Sequence, residues 1–223
     1  FQAEDGIRDR SPSRGLGDVY KRQLQKISKM ADISVVIQKE QLGLGHAILQ
    51  AQSSLGNHPF AVLLPDDLIL NDDPTIGGMC SVSEQTEGMV VAIRRVSKES
   101  IPNLGIVELG QDYGRTVEIL SMIEKPSLES APSNMAIVGR YILPAEIFEN
   151  IRNTSPGSLG EIQLTDSMTA LLKTTACTGY RFPGAHFDVG TPLGMLEASL
   201  HIGMTRYGFD FEQSNLKRNR NYL

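Results

Sequence analysis

No stretch of the 223 residues approaches the roughly 20 consecutive apolar residues that a bilayer-spanning helix needs. Nor does the chain open on the basic segment and short apolar core of a secretory signal. Cysteine is scarce: Cys80 and Cys177 stand far apart and in no metal-ligand spacing. That pattern points to two free thiols in a reducing cytoplasm. Four scattered histidines make no zinc constellation. There is no excess of positive charge. A formal net charge of −5 argues against a general nucleic-acid binder or a membrane-surface binder, because both need a basic patch. An anionic substrate stays open, since a bound cation and a few placed basic side chains can outweigh the average locally. The chain shows no internal repeat and no low-complexity tract. What remains is ordinary for a soluble globular protein, with 40% hydrophobic and 21% charged residues. The length allows one large domain, or a domain with an appendage.

The first 23 residues differ from the rest. Phe1–Gln23 has no sustained helical or strand period and is dense in Arg, Asp, Gly and Ser. It resembles translated adaptor read-through, a non-native leader to be set apart from the fold; a flexible native arm is the competing reading. Its charge is nearly neutral, so removing it leaves −6 and does not change the reading of partners. From Leu24 the pattern becomes regular. Leu24, Ile27 and Met30 share a helical face, and Ile33 to Ile37 is a β-branched strand. Helices are expected at 43–55, from Asp73-Pro74 to Gly88, at 145–151, 161–173 and 192–207. Pro74 is placed at the first position of its helix. The last helix carries Leu193, Leu196, Leu200 and Met204. Strands are expected at 60–64, 89–96, 105–109, 116–123, 135–143 and 178–182, with a hairpin turn at Gln111 to Gly114. The early alternation reads as a parallel sheet with crossover helices. Residues of about 97–143 read as a β-rich insertion, and 208–223 as a polar tail.

Phe60-Ala-Val-Leu-Leu-Pro-Asp-Asp67 stands at the centre. A continuous apolar run predicts a strand buried on both faces, ended by Pro65. Asp66 and Asp67 then emerge at its carboxyl end, where open α/β sheets bind ligands. Paired carboxylates there suit a hard divalent cation; a polar turn after a core strand is the equal alternative. Upstream, Gln38 ends a strand and Gly43-Leu44-Gly45 opens a helix. Glycines there let backbone approach a ligand, and the Gln38 carboxamide matches the donor–acceptor edge of uracil or thymine. Alone, each is as readily a turn or a loop residue.

Six segments follow in order: Gly-Leu-Gly-His-Ala (43–47), Leu-Leu-Pro-Asp (63–66), Ile-Glu-Lys-Pro (123–126), Ala-Pro-Ser-Asn-Met-Ala-Ile-Val-Gly-Arg-Tyr (131–141), Gly-Glu-Ile-Gln-Leu-Thr-Asp (160–166) and Phe-Asp-Val-Gly-Thr (187–191). Together they resemble the sugar-nucleotide pyrophosphorylase family, and within it the bacterial UTP–glucose-1-phosphate uridylyltransferases, over about Leu24 to Tyr207. The resemblance implies an α/β, Rossmann-like nucleotidyltransferase fold: a mixed, mainly parallel sheet flanked by helices, with a β-rich sugar-binding insertion. It implies Mg²⁺ held by Asp66 and Asp188, and uracil read by Gln38 beside the backbone of Gly43. It implies glucose 1-phosphate held by Gly105, Glu124, Lys125 and Ile137, with Lys125, Asp66 and Asp188 catalytic. UTP and glucose 1-phosphate are the implied partners, in a homo-oligomer.

Two aspartates converging without a cation would repel by about 4 kcal/mol at 4 Å and an effective dielectric near 20. A divalent cation removes that repulsion. Asp188, in Asp-Val-Gly-Thr-Pro, is equally a helix-start turn. Asp67 is read as a solvated turn residue, Arg140 and Tyr141 as sheet residues, and 160–166 as a helix start with an acidic first turn. The sequence also departs from the family pattern. The Gly-x-Gly-Thr-Arg phosphate loop is absent, since Gly15-Leu16-Gly17 lacks the Thr-Arg, so the first βαβ region is expected to be missing and this chain to be weak or inactive. Leu104 and Pro192 stand where the family often has tyrosine and lysine. A thymidylyltransferase and a non-catalytic sugar-nucleotide-binding module are the alternatives.

Overall fold

The computed structural model describes residues 29–157 and 160–210. The leader, Leu24, Ile27 and the tail beyond Asp210 lie outside the described residues. Two units are distinguished, Phe1–Ile37 and Gln38–Leu223. In the first, described residues 29–37 form neither helix nor strand, so the expected strand at 33–37 is not present. Ile33, Val35 and Ile37 are exposed. A β-branched run becomes a strand only where a neighbour completes its hydrogen bonds and covers a face.

The second unit holds six helices and eight strands among its described residues. Helices α1 (Gly43–Gln50) and α2 (Gln52–Leu55) lead to strands β1 (Phe60–Leu63) and β2 (Asp67–Leu70). Helix α3 (Thr75–Thr86), strand β3 (Met89–Arg95), a 3₁₀ segment (Lys98–Asn103) and strands β4 (Gly105–Asp112), β5 (Thr116–Glu124) and β6 (Met135–Leu143) follow. Helices α4 (Ile147–Asn153) and α5 (Leu164–Leu171), strands β7 (Cys177–Arg181) and β8 (Ala185–Asp188) and helix α6 (Pro192–Tyr207) complete it. Pro74 sits one residue before α3 rather than inside it, and Glu87 ends that helix in the left-handed conformation, φ 50°.

A six-stranded sheet runs in the order β1-β6-β3-β7-β5-β4. It is mixed and flanked by helices, as expected. Its direction differs from expectation: among the described pairs only β3–β7 is parallel, while β1–β6, β3–β6, β4–β5, β4–β6 and β5–β7 are antiparallel. Strand β6 causes this by entering antiparallel between β1 and β3. Strands β3 and β6 are buried on both faces. Met89, Val91 and Ile93 pack into a core with α4 and α5 residues Phe148, Ile151, Leu164 and Met168. Val90 and Ala92 pack on the other face with Met79 of α3, Val138 and Ile142. Strand β1, expected to be buried, is an edge strand: Phe60 is buried, but Ala61 and Leu63 are exposed. A continuous apolar run reports composition and not position in a sheet, and an edge strand needs only one anchoring side chain. Phe60 supplies it by stacking on Phe148, with centroids 5.1 Å apart.

Strands β2 and β8 are not expected from the sequence. They pair antiparallel in a separate two-stranded ribbon that sets Asp67 opposite Asp188.

Candidate functional site

The ribbon places the two predicted metal ligands together. Asp66 precedes β2, and Asp188 ends β8. The Val189 N–H donates to the Asp66 carbonyl at 2.8 Å, and the Gly190 N–H to Asp188 Oδ1 at 3.0 Å. A Cβ placed on Gly190 would lie 3.1 Å from Asp188 Oδ1 and 3.2 Å from Asp66 Oδ2. Both carboxylates therefore border one small space that glycine leaves open, and both are exposed to incoming ligand. The residues fit a hard divalent cation, which takes oxygen ligands and uses one or two carboxylates with substrate phosphates. No third His, Cys, Asp or Glu joins them in a metal-sized cluster among the described residues.

Asp67 is not a solvated turn residue. Its side chain is only 19% exposed. Oδ2 accepts from the Gly139 N–H of β6 at 2.9 Å, and Oδ1 contacts His186 Nε2 on β8. His186 Nδ1 is met by the Arg94 guanidinium of β3, which also donates to the His186 carbonyl at 3.3 Å. Arg140 ties the same loop down, donating to the carbonyls of Leu64 at 2.7 Å, Gly139 at 2.8 Å and Asp67. Local sequence carries little signal for these partners, which come from three other strands, β3, β6 and β8. A Cβ on Gly139 would sit 2.4 Å from Asp67 Oδ2 and 2.6 Å from Leu64 Cβ, so the loop approaches β6 more closely than any side chain there would allow.

A second group forms around Glu124, which ends β5. Thr165 Oγ1 of α5 donates to Glu124 Oε2 at 2.7 Å. The space over Gly105 is bordered by Glu124, Thr165 and Ile137. Three predicted sugar-site residues therefore meet, and Thr165 joins them unpredicted. Lys125 is exposed and adopts φ 49°, a left-handed conformation uncommon outside glycine. Its N–H donates to the Leu104 carbonyl at 3.1 Å. Backbone strain of this kind clusters at functional sites. Tyr141 is buried within electrostatic reach of both groups. Burial raises its phenol pKa, and the nearby carboxylates of Glu124, Asp67 and Asp66 raise it further. A cleft of about 700 Å³ is lined by Asp66, Asp188, Arg94, Leu104, Ile137 and Leu193, among others.

Gln38 and Gly43 form a third cluster. Gln38 Nε2 donates to the Gly43 carbonyl at 3.2 Å and lies 2.8 Å from His46 Nδ1. The Gln38 carboxamide nitrogen thus faces the protein, and Oε1 is the atom left to face a ligand donor. Gly43 has φ 91°, and its absent Cβ would fall 2.9 Å from Glu161 Cβ and the Ile162 carbonyl. Gly45 is packed likewise, its N–H donating to the Ile162 carbonyl at 3.0 Å. The glycines here allow a close approach between the start of α1 and the 161–162 segment, where a ligand contact was expected. Helix α5 begins at Leu164, so of the predicted acidic residues only Asp166 lies in its first turn.

The nucleotidyl transferase family model matches residues 16–204. A UTP–glucose-1-phosphate uridylyltransferase of Staphylococcus saprophyticus is 38% identical over 177 residues, covering 79% of this chain and 61% of its own length. One from Bacillus subtilis is 36% identical over 185 residues, covering 83% and 62%. The chain thus spans about three fifths of the length of these curated relatives. Among solved structures, an apo UDP-glucose pyrophosphorylase is 35% identical with a TM-score of 0.80, covering 89% of this chain and 76% of that one. A UDP-glucose pyrophosphorylase complexed with UDP-glucose is 37% identical with a TM-score of 0.77, covering 84% and 76%. Paired acids at a ribbon end, a carboxylate over Gly105 and a mixed sheet of this order accompany a family match over most of the sequence, and the chain belongs to the nucleotidyl transferase family.

Proposed function

We propose that this protein transfers a uridylyl group from UTP to glucose 1-phosphate, forming UDP-glucose and releasing pyrophosphate. The observation that carries the reading is the convergence of Asp66 and Asp188 on the space at Gly190, in a chain whose relatives are named uridylyltransferases.

Asp66 and Asp188 hold the divalent cation, assigned as Mg²⁺, which when bound neutralises phosphate charge and orients the reacting groups. Glu124, fixed by Thr165, accepts from sugar hydroxyls. Lys125 faces the sugar phosphate as a point charge, and the backbone of Gly105 and the Ile137 side chain close the sugar pocket. A phosphate oxygen of glucose 1-phosphate attacks the α-phosphorus of UTP in line. As that bond forms, the bond to the β-phosphate oxygen breaks and pyrophosphate leaves. No protein nucleophile enters, and positioning with charge neutralisation supplies the acceleration. Gln38 reads the base. It accepts from N3–H through Oε1 and donates to O4 through Nε2. Uracil and thymine present the same edge, so the preference for UTP rests on the relatives. The intact enzyme is proposed to be a homo-oligomer.

Pyrophosphate release with UTP or dTTP as the competing donor, together with calorimetric binding of UDP-glucose, tests the reading. UTP should be preferred, and Asp66→Asn should lower kcat/KM by about 10²–10³, the scale of losing one preorganised electrostatic contact. Turnover unchanged by Asp66→Asn would refute the metal assignment. UDP-glucose binding with turnover still absent after a Gly-x-Gly-Thr-Arg phosphate loop is supplied ahead of residue 24 would favour the non-catalytic module.

A further inference from the structure

We infer that His186, clamped between Asp67 and Arg94, is a positioning residue that sets the spacing of Asp66 and Asp188 and hence the affinity of the site for divalent cation. The inference rests on the reading of those two acids as the metal pair.

Three observations lead to it. First, the acids sit on a ribbon that is not part of the main sheet, so something other than sheet pairing must fix where they stand. Second, the clamp reaches across that gap. Arg94 comes from β3 and Gly139 from β6, while Asp67 and His186 come from the two ribbon strands. Asp67 is the neighbour of Asp66, and His186 lies two residues before Asp188, on the same face of β8. Movement of either clamp residue therefore moves one acid. Third, the hydrogen inventory permits one arrangement. Arginine only donates, so His186 Nδ1 must accept and Nε2–H must donate to Asp67. Asp67 Oδ2 is already taken by the Gly139 N–H. Each side-chain contact in the clamp then has a defined donor and acceptor, which makes the geometry specific and not merely cohesive. The side chains of His186 and Asp67 are 11% and 19% exposed, so water competes weakly.

Mn²⁺ serves as the probe, followed by electron paramagnetic resonance in the presence of UTP, with thermal melting as the control. His186→Leu keeps bulk but removes both polar contacts. Mn²⁺ affinity should fall about tenfold, the lower end for losing an outer partner of a metal site. His186→Gln retains one donor and one acceptor and should restore affinity to within about twofold of the parent. Arg94→Met, on a different strand, should weaken Mn²⁺ binding in the same direction while leaving the imidazole in place. Equal affinity in His186→Leu and the parent would overturn the inference while leaving the metal reading intact. So would a loss in His186→Gln as large as in His186→Leu. If the parent itself binds no Mn²⁺ with UTP, the metal reading fails and the inference with it. Should His186→Leu fail to melt cooperatively, Arg94→Met decides the outcome by the same measurement.

Discussion

One carboxylate, Asp67, accepts from two strands at once, the Gly139 N–H of β6 and the Nε2–H of His186 on β8. Replacing it by asparagine turns one acceptor into a donor, and that donor must face another. Leaving a buried donor unmatched costs about 1–3 kcal/mol. Asp67→Asn should therefore lower the unfolding free energy by roughly that amount in urea titration, against the mild effect expected of a turn residue. The two thiols differ as sharply. Cys80 is exposed on α3, and Cys177 is buried on β7. A maleimide should label Cys80 in the folded protein and Cys177 only after unfolding. Burial pushes the Cys177 thiol from its ordinary 9.0 up to about 12, and the phenol of Tyr141 is raised as well. The folded state thus keeps protons that the unfolded chain releases. The stability these groups contribute is fully present below about pH 9 and is lost as pH rises toward about 12. Urea unfolding at pH 8 and at about pH 10.5 checks the sign: the higher pH should give the smaller free energy.

Strand β1 shows what holds an element at an edge. Among the described residues it has one sheet neighbour, β6, and one buried side chain, Phe60. Phe148, 1% exposed, carries the stack from below. Phe148→Ala should cost about 3–5 kcal/mol, read as a lowered melting temperature, and should free β1 first, read as faster amide exchange at 60–63. Helix α6 shows a different balance. Its bounds match the sequence reading, yet Leu193, Leu196, Leu200 and Met204 are exposed while Gly194 and Ala198 are buried. Apolar periodicity located the helix but not its inward face, because the helix is held through small residues. A Cβ on Gly194 would fall 1.8 Å from the Asp188 carbonyl, and no larger residue permits that approach.

Across the whole molecule, the legible parts were those written locally. Strands expected at 105–109, 116–123 and 135–143 are present at 105–112, 116–124 and 135–143, and the roles proposed for Asp66, Asp188 and Glu124 come from the family resemblance, carried by motifs of a few residues. The illegible parts depend on partners distant in the chain. Whether β1 is central or at an edge, parallel or antiparallel, is decided by where β6 arrives. Asp67 looked like a turn residue because nothing near it in sequence reveals Gly139, His186 or Arg94. Strands β2 and β8 escaped notice for the same reason, since among the described residues each pairs only with the other. Asp67 and His186 lie 119 residues apart, so the ribbon carrying both acids closes a loop of more than half the chain. Loop closure must be met before the pairing that rewards it, and sheet contacts of shorter span form ahead of it. On the ribosome, a nascent chain that has emerged only through β7 lacks the second acid altogether. The proposed metal pair is therefore completed only after the strands up to β7 have been made.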